Sequence, residues 1–139
     1  GCAACKKEPD AVKVTEKELM KDGFGDRPRY ECFLAEIENE IVGLAFFTER
    51  YSTWVGDTLH LEDLIVTEKY RGKGIGISLY RSFLNEAKDR GVNRVEWSVL
   101  DWNKSAIDFY KKTGAEIDSL NAWKIVRMDK QSINKFLNS

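Results

Sequence analysis

The stretch Leu59-His60-Leu61-Glu62-Asp63-Leu64-Ile65-Val66, followed after Thr67-Glu68-Lys69-Tyr70 by Arg71-Gly72-Lys73-Gly74-Ile75-Gly76, decides how the rest of the chain is read. The apolar run predicts a strand over about 58–67. The glycine-rich turn predicts a helix that it opens and that runs to about Arg90. Ile75, Leu79, Phe83 and Ala87 recur at four-residue steps, an apolar stripe, and Gly91 stops the helix. Glycines at alternate positions let backbone approach a ligand, and the free amides of a helix N-terminus suit phosphate oxygens. Arg71 adds a planar charged donor and Lys73 a second positive charge. Two familiar phosphate motifs fail. A P-loop needs Gly-Lys where Ile77 and Ser78 stand, and a dinucleotide fingerprint needs glycine at Ile77. A plain strand-to-helix turn needs one glycine, so phosphate binding is the stronger reading.

Working outward, Thr15-Glu16-Lys17-Glu18 is a capping box, with Val14 and Leu19 in staple positions. It predicts a short helix from about Thr15 to Asp22, ended by Gly23. Phe33, Ala35 and Ile37 then share one face of a strand over 29–37. Glu38-Asn39-Glu40 makes a tight connection into a second strand over 41–48. Residues 49–57 are polar and turn-prone. Downstream, Val95, Trp97 and Val99 predict a strand over 92–100. Asn103 caps a helix that Gly114 ends, and two strands (115–119 and 123–129) precede a short terminal helix. The order describes an α/β chain: a mixed sheet with helices packed on it.

With 139 residues, a single domain is expected, large enough to fold without a disulfide or metal staple. The 22 Lys+Arg against 23 Asp+Glu argue against a nucleic-acid binder, and no apolar run would span a membrane. Cys2 and Cys5 form a lone C-x-x-C, and only Cys32 and His60 could complete a zinc set, so no metal is expected. Residues 1–7 read as a frayed or appended tail. A reducing, cytoplasmic setting fits the cysteines and the lack of a signal-peptide stretch.

The turn at 71–76 fits the pattern [R/Q]-x-x-G-x-[G/A], and the chain resembles the GCN5-related N-acetyltransferase (GNAT) family. It is most similar to the diamine (spermidine/spermine) and thialysine acetyltransferase branch. The carrying residues are Val14 to Leu19, Asp22-Gly23-Phe24-Gly25, Leu61-Glu62-Asp63, Asp101-Trp102-Asn103 and Asp108-Phe109-Tyr110-Lys111 before Gly114-Ala115. The likeness runs from about Glu8 to the end. It implies one acetyltransferase domain over 1–139, with a mostly antiparallel sheet, a splayed parallel strand pair and flanking helices. It also implies an opening strand and long helix, little of which is present ahead of residues 10–25. The exposed edge left by that loss, together with the family, suggests a homodimer.

The resemblance further implies acetyl-CoA as cofactor, lying between strands that end near Val66 and Val99. Backbone at Leu64, Ile65 and Val66 would face it, the turn Arg71, Gly72, Lys73, Gly74, Ile75 and Gly76 would hold its pyrophosphate, and Asn103, Phe109 and Lys112 would add contacts. Tyr110 becomes the general acid, because a phenol is protonated at neutral pH and can supply a departing thiolate. Glu62 becomes the base for the substrate ammonium, through water. Asp63 falls on the other side of a regular strand, though a bulge would bring both carboxylates to one site. Trp54 and Trp123 match aromatic positions bordering the amine. His60 either lines the site or is structural. Ser52 and Asn121 stand where that branch tends to carry carboxylates, which points away from spermine toward a shorter diamine or a lysine-like amine. An antibiotic amine, a peptide N-terminus, or CoA binding without turnover are the alternatives.

Overall fold

The computed structural model describes residues 14–118 and 123–139. The chain divides into two units, Gly1–Leu100 and Asp101–Ser139, each taken by itself below. The tail 1–7, Cys2, Cys5, Ser119 and Asn121 lie outside the described residues.

The first unit holds α1 (Glu16–Phe24), β1 (Glu31–Ile37), β2 (Glu40–Ser52), β3 (Gly56–Val66), α2 (Ile75–Arg90) and β4 (Arg94–Glu96). The capping box forms as read: the Thr15 hydroxyl accepts from the Glu18 amide at 3.1 Å, and Glu18 Oε2 accepts from the Thr15 amide at 2.9 Å. Val14 and Leu19, the expected staple, are both exposed. The helix passes Gly23 and ends at Gly25. Gly23 is a packing position, not a stop. The Tyr30 ring occupies the space a Cβ there would need, and its hydroxyl donates to the Leu19 carbonyl at 2.6 Å.

β1 and β2 are antiparallel, with Ile37 opposite Glu40 across a two-residue turn. Glu38 (φ 51°) and Asn39 (φ 66°) both take positive φ, the hand that matches strand twist. β2 continues through the polar segment expected to be a turn, with Glu49, Arg50, Tyr51 and Ser52 opposite Leu59, Thr58, Asp57 and Gly56. Its charges stay in the ladder because they find partners: Glu49 pairs with Arg90 at 3.2 Å and Arg50 with Glu96. The Ser52 hydroxyl closes the short loop that follows, accepting from the amides of Trp54 (3.1 Å) and Val55 (3.3 Å).

The sheet order is β1-β2-β3-β4, and only β3 and β4 are parallel. α2 lies on one face. Phe47 and Phe83 meet edge-on at 5.4 Å, joined by Leu59, Leu61 and Leu79, and Phe33 stacks on Phe47 at 5.6 Å. Burying each of these large side chains contributes roughly 1.5–3 kcal/mol.

The second unit holds α3 (Lys104–Lys112) and α4 (Lys130–Leu137). Asp129 caps α4, accepting from the Ser132 amide at 2.8 Å. The expected strands over 115–119 and 123–129 are absent among the described residues, 115–118 and 123–129. Trp123, Ile125, Val126 and Met128 break strict alternation, and all four are exposed. Without one apolar face to bury, the segment has little to hold it in a ladder.

Candidate active site

β3 positions the chemistry of the first unit. It pairs with β4 for three residues only, Thr58 with Arg94, Leu59 with Val95 and His60 with Glu96. The strand expected to reach 100 thus ends at Glu96, while Trp97 packs edge-on against Tyr80 at 5.7 Å. Beyond His60, β3 keeps β2 on one side as far as Val66 opposite Gly43, and no strand among the described residues pairs its other edge. The parallel pair is splayed, and the backbone of Leu64 and Ile65 lies along the opening.

The register explains the carboxylates. Phe47 faces Leu61 and Phe46 faces Asp63, so Glu62 is an extra residue, a β-bulge. Leu59 and Leu61 belong to the core, and after the bulge Leu64 and Val66 pack against it. A regular strand would have alternated Glu62 and Asp63. The slip by one places both off the core face, together with His60. A bulge also bends and twists its strand, a physical cause for the ladder to β4 ending two residues earlier.

Around Glu62 the side chains form a chain of contacts. His60 Nε2 lies 3.1 Å from Glu62 Oε2. His60 Nδ1 lies 3.8 Å from Glu96 Oε1, and Glu96 is bonded by Arg50 and by Arg94 Nη2 at 3.3 Å. The side chain of Glu62 is 53% exposed.

The glycine turn is built from the end of β3. The Thr67 amide donates to the Val42 carbonyl at 2.8 Å, and Glu68–Tyr70 make one 3₁₀ turn. Arg71 Nε donates to the Val66 carbonyl at 3.0 Å. That carbonyl is therefore engaged by the turn itself, while the terminal nitrogens of Arg71 make no hydrogen bond among the described residues. Gly74 (φ 83°) is the N-cap of α2, and a Cβ there would meet nothing within 4 Å. Its glycine is required by conformation. At Gly76 a Cβ would rest 3.6 Å from Val66 Cγ2, an ordinary contact, so alanine fits there. The tolerance for glycine or alanine at the last position of the pattern follows from this geometry. The first helical bond runs from the Ser78 amide to Gly74, so the amides of Ile75, Gly76 and Ile77 precede it. Lys69 and Lys73 each place Nζ 5.4 Å from the Tyr70 ring, adding positive charge beside those amides. The donor set suits a diphosphate.

Gly43 is a site residue that the sequence reading missed. A Cβ there would stand 3.0 Å from the Ile65 carbonyl oxygen and 3.0 Å from Leu79 Cδ1. Its absence lets the first turn of α2 close on the β2–β3 ladder. A glycine inside an apolar strand was the available signal.

Trp54 is 78% exposed in the loop before Gly56, roughly 20 Å along β3 from Glu62 at the usual strand rise. The strand does not bring the two together. In the second unit, Asn103 caps α3, its Oδ1 accepting from the Ala106 amide at 3.3 Å. Asn103, Ala106, Ile107 and Tyr110 follow helical spacing on one face. The Tyr110 backbone carbonyl is a fixed point, accepting from Thr113 and Ala115 amides at 3.0 and 3.2 Å. The rings of Phe109 and Tyr110 lie 5.5 Å apart, Lys112 is exposed on the last turn, and Trp123 is 74% exposed.

Comparison with known proteins agrees with this geometry. Residues 3–115 match the Acetyltransferase (GNAT) family. Thialysine N-epsilon-acetyltransferase of Bos taurus is 36% identical, over 96% of this chain and 84% of its own length. The Caenorhabditis elegans protein of that name is 37% identical, over 96% and 83%. An integron cassette protein from the mobile metagenome of V. cholerae shares the fold, with TM-score 0.75 and 23% identity over 96% of this chain and 84% of that one. The chain belongs to the GNAT acetyltransferase family and is an acetyltransferase.

Proposed function

We propose that this protein transfers acetyl from acetyl-CoA to a primary amine of a small molecule, a lysine-like amine or short diamine, by direct attack. The observation that carries the reading is the open edge of β3 beyond His60, with the bulged Glu62 at the fork and the glycine turn at its far end. Similarity to thialysine acetyltransferases supports a lysine-like acceptor. Ser52 supports it too, since its hydroxyl is committed to the turn and offers no carboxylate to a distant ammonium.

Acetyl-CoA, when bound, supplies the acetyl group activated as a thioester. The turn residues Arg71 to Gly76 would bind its diphosphate, and the backbone of Leu64 and Ile65 would align the rest along the open edge; Val66, Asn103, Phe109 and Lys112 complete the proposed binding set. Glu62 takes a proton from the substrate ammonium through water and leaves the nitrogen lone pair free to attack. Tyr110 holds a proton at Oη for the leaving group. Asp63 shares the off-core face with Glu62 and adds negative charge toward a cation. Trp123 offers aromatic surface for the rest of the amine, and Trp54 would do so for an acceptor extending roughly 20 Å from Glu62. One acetyltransferase domain acting as a cytoplasmic homodimer completes the reading, supported by the edge strand β1 and the free thiol of Cys32. No helix among the described residues is long and apolar enough to cross a membrane.

A thiol-release assay with acetyl-CoA over thialysine, lysine, putrescine, spermidine and spermine tests this. Thialysine and the short amines should turn over faster than spermine. Tyr110→Phe should lower turnover roughly a hundredfold with acetyl-CoA affinity unchanged. Acetyl-CoA binding with no thiol release across the panel would refute the enzymatic assignment of acceptor and base.

A further inference from the structure

We propose that His60 is the positioning residue for Glu62: its Nε2–H holds one carboxylate oxygen and leaves the other turned to the substrate ammonium. The inference rests on the reading of Glu62 as the base.

His60 is the last β3 residue paired with β4, so it sits where the two strands part. Two residues before Glu62 on the strand, it shares the off-core face with that carboxylate, at 3.1 Å. Its other nitrogen, Nδ1, is buried and makes no hydrogen bond among the described residues. That asymmetry decides the tautomer. A proton on Nδ1 alone would have no acceptor within hydrogen-bond distance, Glu96 Oε1 lying at 3.8 Å, and would turn the Nε2 lone pair on a carboxylate oxygen. A proton on Nε2 gives the Glu62 carboxylate its donor at 3.1 Å. Glu96 packs beside the far edge of the ring, its carboxylate held by Arg50 and Arg94. With Glu96 fixed by its two arginines on β4, the ring is hemmed in and presents Nε2 to the half-exposed Glu62 carboxylate.

His60 is the only histidine in the chain, so its imidazole resonances need no assignment. Nitrogen-15 NMR of the ring in the unsubstituted protein should find the proton on Nε2, and a neutral ring protonated at Nδ1 would overturn the proposal. Glutamine and asparagine separate the two nitrogens, since the Gln amide reaches the Nε2 position and the Asn amide only that of Nδ1. With thialysine and acetyl-CoA, His60→Asn should lower kcat at least ~10-fold and leave KM for acetyl-CoA unchanged, whereas His60→Gln should stay within about threefold. Equal losses in the two variants, or none in either, would defeat the positioning role. Glu62→Gln identifies which idea has failed. If it loses about a hundredfold while His60→Asn loses nothing, positioning falls alone. If it retains turnover, the base assignment falls, and the positioning role with it. Thermal melts of each variant show that it is folded.

Discussion

Adding one methyl group at Gly74 and one at Gly76 should have opposite effects, although the positions are two residues apart. At Gly74 the added Cβ meets nothing within 4 Å, so the cost of Gly74→Ala is conformational. An L-residue at φ 83° costs about 1–2 kcal/mol. At Gly76 the backbone is helical and the Cβ would lie 3.6 Å from Val66 Cγ2, so Gly76→Ala should stabilise by up to ~1 kcal/mol. The two variants should then differ by about 1–3 kcal/mol, or roughly 4–12 °C in melting temperature at about 4 °C per kcal/mol. Thermal and urea melts read that gap. Calorimetry with acetyl-CoA reads its consequence: moving the amides at the N-cap should weaken binding at least ~10-fold in Gly74→Ala and hardly at all in Gly76→Ala. A Gly74→Ala variant that melts with or above Gly76→Ala would refute the claim that Gly74 is present for its backbone angle.

Gly43→Ala should push the first turn of α2 away from the sheet, because the Ile65 carbonyl oxygen at 3.0 Å is backbone and yields little. A loss of about 1–3 kcal/mol is expected, with weaker acetyl-CoA binding by titration, and an unchanged melt would contradict the close approach. Arg90 meets Glu31 (2.7 Å), Glu86 (2.9 Å) and Glu49 (3.2 Å) while its guanidinium lies 5.7 Å from the Phe47 ring centre. The hydrogen bond it donates to Glu31 raises its already high pKa, so it is charged at any working pH. Arg90→Ala should cost about 1–2 kcal/mol in urea melts, since three carboxylates are left facing one another.

Where the chain states its own local rule, the sequence was sufficient. The capping box at Thr15, the tight turn at Glu38-Asn39, the stripe of α2 and the Asn103 cap all follow from neighbours within four residues. Errors came where partners are distant. Residues 49–52 look like a turn until Arg90 and Glu96 are seen to pair with Glu49 and Arg50. Gly23 looks like a stop until Tyr30 fills its face. The length of β4 depends on a bulge in β3, which no pattern within 92–100 could announce. For the site, the glycine turn and both carboxylates were legible as residue types. Their common face was legible only as the consequence of a bulge, because it depends on a register slip set by pairing with Phe46 and Phe47.

With Glu62 as the proposed base, that slip separates what the sheet needs from what the reaction needs. Removing Glu62 on paper leaves Leu59-His60-Leu61-Asp63-Leu64-Ile65-Val66, in which Leu59, Leu61, Leu64 and Val66 alternate without interruption. The strand's core face is complete without this residue. Glu62 is surplus to the architecture, inserted between two halves that are each in phase with the core. Selection on stability and selection on the carboxylate therefore act on different positions. A change at Glu62 can redirect the chemistry while the fold beneath it stays as it is.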